Sequence, residues 1–353
     1  MKLKITLPHM IIFQSIFCWL LLAMAVAQPL TSRSDTAISY IERGNIWFAK
    51  GEWKRAIADY DLAIASDPKL AQGYNSRGVA RWRMKEYERA IADFNRAIQL
   101  DPRYAEAYVN RGKSRYLMGD PDGAINDSNR SIELDPKLAS GWYIRGMARG
   151  RKGDLSGALA DFDRAAKLNP REAEIYLNRG VARLNLGDLD GAISDQTRAI
   201  KLNPDLFLAW NERGAARRMK GDFDGALADY NQVIVLAPHY AQAWVDRGTL
   251  LKAKGELERA EVDFSRAIEL NPELAFAWAQ RGLARFLQGR GDAAQQDFDH
   301  CLALNKDLQS WLDQRICEAK RQLVAKPIEP ASKIKFRGIR SNFHNKERDC
   351  SCS

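Results

Sequence analysis

The dipeptide Arg-Gly occurs at 43–44, 77–78, 111–112, 145–146, 179–180, 213–214, 247–248 and 281–282, always 34 residues apart. Three further markers keep the same phase. An alanine recurs at Ala56, Ala90, Ala124, Ala158, Ala192, Ala226, Ala260 and Ala294. An aspartate recurs at Asp59, Asp93, Asp127, Asp161, Asp195, Asp229, Asp263 and Asp297. A proline closes seven of the eight periods, from Pro68 to Pro272. No insertion breaks the register. A strict period of this length means one small supersecondary unit copied in tandem, each copy burying its apolar face only against its neighbours.

Residues 139–172 show what that unit is. Trp142, Ile144, Gly146 and Ala148 have helical spacing up to Gly153-Asp154, where a glycine supplies the backbone freedom that a helix end needs. Leu155, Ala158, Leu159, Phe162, Ala165, Ala166 and Leu168 then mark a second amphipathic helix. Asn169-Pro170 ends it, because the residue before proline is pushed out of the α region; the same Asp/Asn position is available to cap the next helix. Glycine and alanine thin the helices where they cross. One large aromatic per repeat, Tyr40, Tyr74, Tyr108, Trp142, Tyr176, Trp210, Trp244 or Trp278, fills the space that remains.

This pattern resembles the tetratricopeptide repeat family over residues 37–308. The match lies in the first-helix aromatic, the glycine, the two small second-helix positions, the aromatics Tyr60, Phe94, Phe162, Tyr230, Phe264 and Phe298, and the closing proline. The resemblance implies an all-α, right-handed α-solenoid of eight helix-turn-helix repeats: 37–70, 71–104, 105–138, 139–172, 173–206, 207–240, 241–274 and 275–308. Its inner groove would be lined by the first helices. The last repeats depart from the pattern, with Lys306 for proline, and 309–325 reads as a capping helix with Trp311, Leu312, Ile316 and Leu323 inward.

Two departures run through the array. The residue before the glycine is Arg in every repeat, and four residues later six repeats carry Arg again, with Trp47 and Leu251 as the exceptions. Each periodic Asp precedes the second-helix aromatic position. The spacing predicts a structural Arg–Asp–Arg seam, such as Arg77–Asp93–Arg81, because two arginines at i and i+4 can share one carboxylate. An anion-binding arginine ladder is the competing reading.

The flanks read differently. Lys2 and Lys4 precede an apolar run from Ile11 to Val26 that ends in Ala25-Val26-Ala27, so 1–27 reads as a cleaved secretory signal and 28–36 as a linker. The expected location is periplasmic or secreted, with an N-terminal membrane anchor as the alternative. Residues 326–353 carry seven Lys/Arg against three acids and read as a basic flexible tail. The net charge is +9, of which the first 27 residues hold +2 and the tail +4, leaving the body nearly neutral. That argues against specific nucleic-acid binding, which needs a dense basic face. Peripheral contact with membrane or anionic polymer falls to the tail. Cys301, Cys317, Cys350 and Cys352 remain after the signal, an even number that permits disulfides in an exported chain. Cys301 stands where other repeats carry alanine and reads as a small core residue.

No catalytic, metal or cofactor signature appears. Gly112-Lys113-Ser114 falls within a helix, and Arg290-Gly291-Asp292 spells an adhesion tripeptide by coincidence in a turn. The function implied by the resemblance is therefore that of an exported, non-enzymatic scaffold or adaptor that binds a protein or peptide segment in its groove. Phe48, Trp82 and Tyr116 occupy one groove row as apolar anchors, and Asn75, Asn110, Asn178 and Asn211 can clasp an extended backbone. Packing between neighbouring repeats is the other role open to the aromatics. The second function class is an envelope assembly factor acting at a membrane or anionic polymer surface through its tail.

Overall fold

The structure, a computed structural model, describes residues 33–325. The expected signal segment, Cys350, Cys352 and the basic tail lie outside the described residues. Seventeen α-helices and one 3-10 turn (Lys306–Leu308) make up the described residues, with no strand among them. In chain order these are α1 Arg33–Ala49, α2 Trp53–Ser66, α3 Ala71–Arg83, α4 Tyr87–Leu100, α5 Ala105–Leu117, α6 Pro121–Leu134, α7 Ala139–Arg151, α8 Leu155–Leu168, α9 Ala173–Asn185, α10 Leu189–Leu202, α11 Phe207–Lys220, α12 Phe223–Leu236, α13 Ala241–Ala253, α14 Leu257–Leu270, α15 Ala275–Leu287, α16 Gly291–Leu304 and α17 Gln309–Ala325.

Each hairpin is made by local chemistry. In seven of the tight turns a glycine takes positive φ, from 76° at Gly51 to 88° at Gly221, which only glycine adopts without strain. In the second repeat Lys85 holds that conformation at φ 63°. The side chains of Asp120, Asp154, Asp188 and Asp222 then cap the second helix by accepting from the N–H of Gly123, Gly157, Gly191 and Gly225. The Asp/Asn before the closing proline does not cap the following helix. Asp67, Asp101, Asp135, Asn203 and Asn271 instead accept from the backbone N–H two residues on, at 2.9–3.2 Å, stabilising the turn itself. The next helix starts at a residue such as Leu70 or Tyr104 with no side-chain cap.

The described residues divide into two compact units, 33–148 and 149–325. In the first, α1 pairs with α2, α3 with α4 and α5 with α6, and the first helices α1, α3 and α5 lie side by side. Its cores are Ile41, Ala56, Tyr60, Ala63 and Ala80, and Val109, Ala124, Ile144 and Ala148. In the second, α9–α10, α11–α12, α13–α14 and α15–α16 form the pairs, and α9, α11, α13, α15 and α17 follow one another as neighbours. The capping helix buries Leu312, Ile316 and Ala319 against Leu283, Phe286, Phe298 and Cys301, which is fully buried as a small core residue. Cys301 and Cys317 are not joined to each other by a disulfide.

The Arg–Asp seam is present in both units. Arg77 forks onto Asp93 through Nε and Nη2, at 2.6 Å for the shorter bond, while Arg81 Nη1 donates to the other oxygen at 2.8 Å. The same triad forms at Arg111–Asp127–Arg115, Arg179–Asp195–Arg183, Arg213–Asp229–Arg217 and Arg281–Asp297–Arg285. Every one of the eight aspartates is buried. At the first exception, Asp59 accepts two bonds from Arg43 and has the Trp47 side chain as its second partner; at the second, Leu251 is part of the core and Arg247 alone holds Asp263 at 2.7 Å.

The same arginine does more than the spacing predicts. Its Nη1 reaches back to the preceding repeat's second helix: Arg77 to Asp61 at 2.7 Å, Arg111 to Asn95 at 2.8 Å, Arg179 to Asp163 at 2.9 Å and Arg247 to Asn231 at 2.8 Å. The guanidinium also lies over the first-helix aromatic, 4.7 Å from the ring centre at Trp278 and 5.5 Å at Tyr74. That aromatic donates to the carbonyl of the proline before its helix, as from Trp142 Nε1 to Pro136 at 3.0 Å. One arginine thus joins its own hairpin, the preceding hairpin and the turn between them.

Candidate functional site

The strongest surface feature of the first unit stands on α1, α3 and α5. Phe48, Trp82 and Tyr116 sit at equivalent positions near the ends of these helices, one repeat apart, and all three are half-buried. Cations alternate with the rings. The Arg83 guanidinium lies 5.9 Å from the Phe48 ring centre and 5.4 Å from that of Trp82. Lys113 Nζ lies over the preceding repeat's ring, 4.1 Å from the Trp82 centre. Such contacts fall within cation–π range and hold the rings and the charges in one row.

Two of these aromatics also serve the core. Phe48 packs on the Ile41–Tyr60 cluster and Tyr116 on the Val109–Ile144 cluster. Trp82 differs, because its buried indole N–H finds no acceptor among the described residues. A buried donor without a partner costs about 1–3 kcal/mol, so Trp82 is held at a cost in stability.

The asparagines divide between the units. Asn110 Nδ2 donates to Asn75 Oδ1 at 3.0 Å, and Asn75 Nδ2 donates to Tyr104 Oη at 3.2 Å. This polar chain lies on the same helices as the aromatic row, and burial pushes the Tyr104 hydroxyl above its ordinary pKa. In the second unit, Asn178 turns back onto its own helix and donates to the Glu174 carbonyl at 2.9 Å. Asn211 is buried, and its Oδ1 has no donor among the described residues. Five of the seven residues expected to line the groove, namely Phe48, Asn75, Trp82, Asn110 and Tyr116, therefore belong to one unit and to three adjacent helices.

Spacing alone could not show the interleaving of Arg83 and Lys113 with the rings. Arg83 follows Trp82 directly and Lys113 precedes Tyr116 by three residues, and the place of each over a ring depends on side-chain direction across a helix pair. Lys113 and Ser114, which imitate the end of a phosphate loop, lie within α5, where Ser114 Oγ donates to the Asn110 carbonyl at 2.9 Å. Arg290 of the adhesion-like tripeptide is ion-paired with Glu261. Among the described residues no group of three His, Cys, Asp or Glu side chains is placed to hold a metal, and no helix is long and apolar enough to cross a membrane.

Comparison with known proteins bears on the array as a whole. Models of the TPR repeat match residues 44–85 and 83–119, and models of the tetratricopeptide repeat match 105–138, 143–206, 197–241 and 241–274. No curated protein sequence matches the chain. Among solved structures, the APC/C hetero-tetramer Cut9–Hcn1 aligns with a TM-score of 0.62 at 16% identity, over 84% of this chain and 57% of that one. A tetratricopeptide repeat protein from Parabacteroides merdae aligns at 0.53 and 21% identity, over 70% and 98% of the two chains. PilF from Pseudomonas aeruginosa aligns at 0.53 and 16% identity, over 58% and 93%. At these identities the likeness is one of fold. With eight periods in register, paired helices throughout and these matched segments, the chain belongs to the tetratricopeptide repeat family.

Proposed function

We propose that this protein is a non-enzymatic scaffold whose first-unit face, built from α1, α3 and α5, binds an extended segment of another protein. The observation that carries the reading is Trp82: a half-buried indole with an unsatisfied N–H, flanked by Arg83 and Lys113, beside the Asn110–Asn75–Tyr104 chain. Aromatic anchors with a polar rim are the residues that dominate polypeptide interfaces. The alternating cations favour a segment with aromatic or aliphatic side chains and at least one carboxylate. The tetratricopeptide fold supports a protein-interaction role, and the repeat-periodic acids and bases are taken up by the structural seam rather than left for chemistry.

The test is capture of partner from the native source by the whole protein and by Trp82→Ala. Trp82→Ala lowers recovery of the specific partner about tenfold, the effect of a lost anchor of at least 1.4 kcal/mol, while the melting temperature stays near that of the parent. Unchanged recovery with a lowered melting temperature would make Trp82 a packing residue.

We further propose that residues 1–27 direct export and are removed. Intact-mass measurement of the protein recovered from cells checks this: a chain beginning at Gln28 supports it, and a chain that keeps the segment supports the anchored alternative.

A further inference from the structure

Glu212 on α11 and Asp246 on α13 occupy the same repeat position, 34 residues apart, on neighbouring first helices of the second unit. Both are half-buried, and neither forms an ion pair among the described residues. Asp246 is oriented by Gln242 Nε2, which donates at 3.0 Å, and Glu212 accepts from the side chain of Asn211. Asn211 itself is only 6% exposed, and its Oδ1 has no donor among the described residues. Tyr240 lies close enough to sense both carboxylates, with Phe207 tilted against it at 5.1 Å between ring centres. The basic groups nearby are committed elsewhere or only partly compensating: Arg218 bonds the Tyr230 hydroxyl and attracts Asp246 from a distance, and Lys252 donates to Gln280 Oε1 at 2.6 Å.

We propose that Glu212 and Asp246 form a receptor for a basic side chain, and that its occupant is the chain's own lysine- and arginine-rich segment 326–353. Burying carboxylates without a cation is costly, and the same carboxylates repay a cation brought between them. An ammonium or guanidinium brings the missing elements together: positive charge for the two carboxylates, a donor for Asn211 Oδ1, and a cation against an aromatic wall. Burial, reinforced at Glu212 by the charge of Asp246, raises the pKa of both carboxyls, as expected for a site lacking its counter-charge.

The choice of occupant rests on charge and reach. Residues 326–353 carry seven Lys/Arg against three acids. They continue from Ala325 at the end of α17, which packs on α15, itself the neighbour of α13. Three helix-to-helix steps of about 10 Å are well within the ~90 Å that 28 extended residues can span. The site stands in the second unit and is independent of the reading of Trp82.

The experiment follows trypsin cleavage after Lys333, Lys335, Arg337 and Arg340 in the full chain, in Glu212→Gln/Asp246→Asn, and in a control with the exposed Asp190 changed to Asn. Cleavage in the double variant is expected to be about tenfold faster than in the parent, the loss of ~1.4 kcal/mol of docking, with the control unchanged. Thermal melting confirms that the variant is folded, and Glu212→Gln alone serves if it is not. In a second arm, a synthetic peptide of residues 331–342 is titrated into a full chain in which Lys333, Lys335, Arg337 and Arg340 are changed to Gln. Binding tighter than about 1 mM that disappears with Glu212→Gln/Asp246→Asn supports the proposal. Equal cleavage rates in parent and double variant, or peptide binding indifferent to the two carboxylates, would overturn it. Carboxylate-dependent capture of a different protein's basic segment, with the tail cleaved equally in all forms, would overturn the assignment of the occupant.

Discussion

Asp93 illustrates how much of this molecule rests on single polar side chains. It is buried, accepts from Arg77 and Arg81 together, and thereby fixes Arg77 for its second bond to Asp61 in the preceding repeat. Burial opposes the charge of Arg77, yet the bonds to Asp93 and Asp61 outweigh it and raise the arginine's pKa. Replacing Asp93 by Asn leaves two partly buried guanidinium groups without their carboxylate and is expected to cost about 3 kcal/mol. Denaturant unfolding checks this, and partner capture should be unaffected. Normal stability with lost binding would restore the anion-ladder reading. Lys252 supplies a second test at this scale. Burial lowers its pKa to about 8, so between that value and its ordinary 10.5 the unfolded chain binds more protons than the folded one. Stability from this group therefore rises with pH across that window, and its penalty is fully present below it. A carbon-13 lysine titration should show one side chain with its midpoint near pH 8; a midpoint above 10 would mean that the ammonium is solvated. The seam was legible from the 34-residue recurrence of Arg and Asp. The reach to the preceding repeat was not, because its acceptors, Asp61, Asn95, Asp163, Thr197, Asn231 and Ser265, share a position but not a residue type.

At the scale of the helical hairpin, the spacing between paired helices is set by a missing side chain. A Cβ on Gly78 would stand 2.6 Å from the Phe94 ring, and real Cβ atoms do not approach that closely. Gly78→Ala must spread α3 from α4 and is expected to cost ~1–3 kcal/mol, as overpacking does. The turn offers a gain instead. Lys85 holds φ 63°, where the other seven turns use glycine. Lys85→Gly relieves a left-handed penalty of roughly 1–2 kcal/mol and gives part of it back in chain entropy. The expected outcome is a modest rise in melting temperature, and a fall would show that the lysine side chain makes a compensating contact. The helices, their pairing and the glycine turns follow from periodicity because every local preference agrees with the array. The capping by the Asp/Asn before proline did not follow. That side chain satisfies the N–H two residues on, inside the turn, before the next helix begins.

Across the whole molecule, the identical register of eight repeats conceals two chemically different surfaces. The first unit presents rings interleaved with Arg83 and Lys113; the second presents Glu212 and Asp246 with few cations close by. The aromatic row and its asparagines could be placed from repeat positions alone. The unsatisfied N–H of Trp82 and the uncompensated carboxylates could not, since burial and pairing are properties of packed neighbours and not of spacing. Because stability in such an array is a sum over neighbouring repeats, a surface position can be changed with local consequences only. The central claim is that the α1–α3–α5 face holds a polypeptide. The most direct measurement places a photo-crosslinking residue at Trp82 in the protein in its native cells, with a matched probe at the exposed Leu62 on α2. A dominant protein adduct from position 82 that is absent from position 62, and that maps to one extended segment of the partner, is the predicted result. No adduct at 82, or the same adducts from both positions, would contradict it.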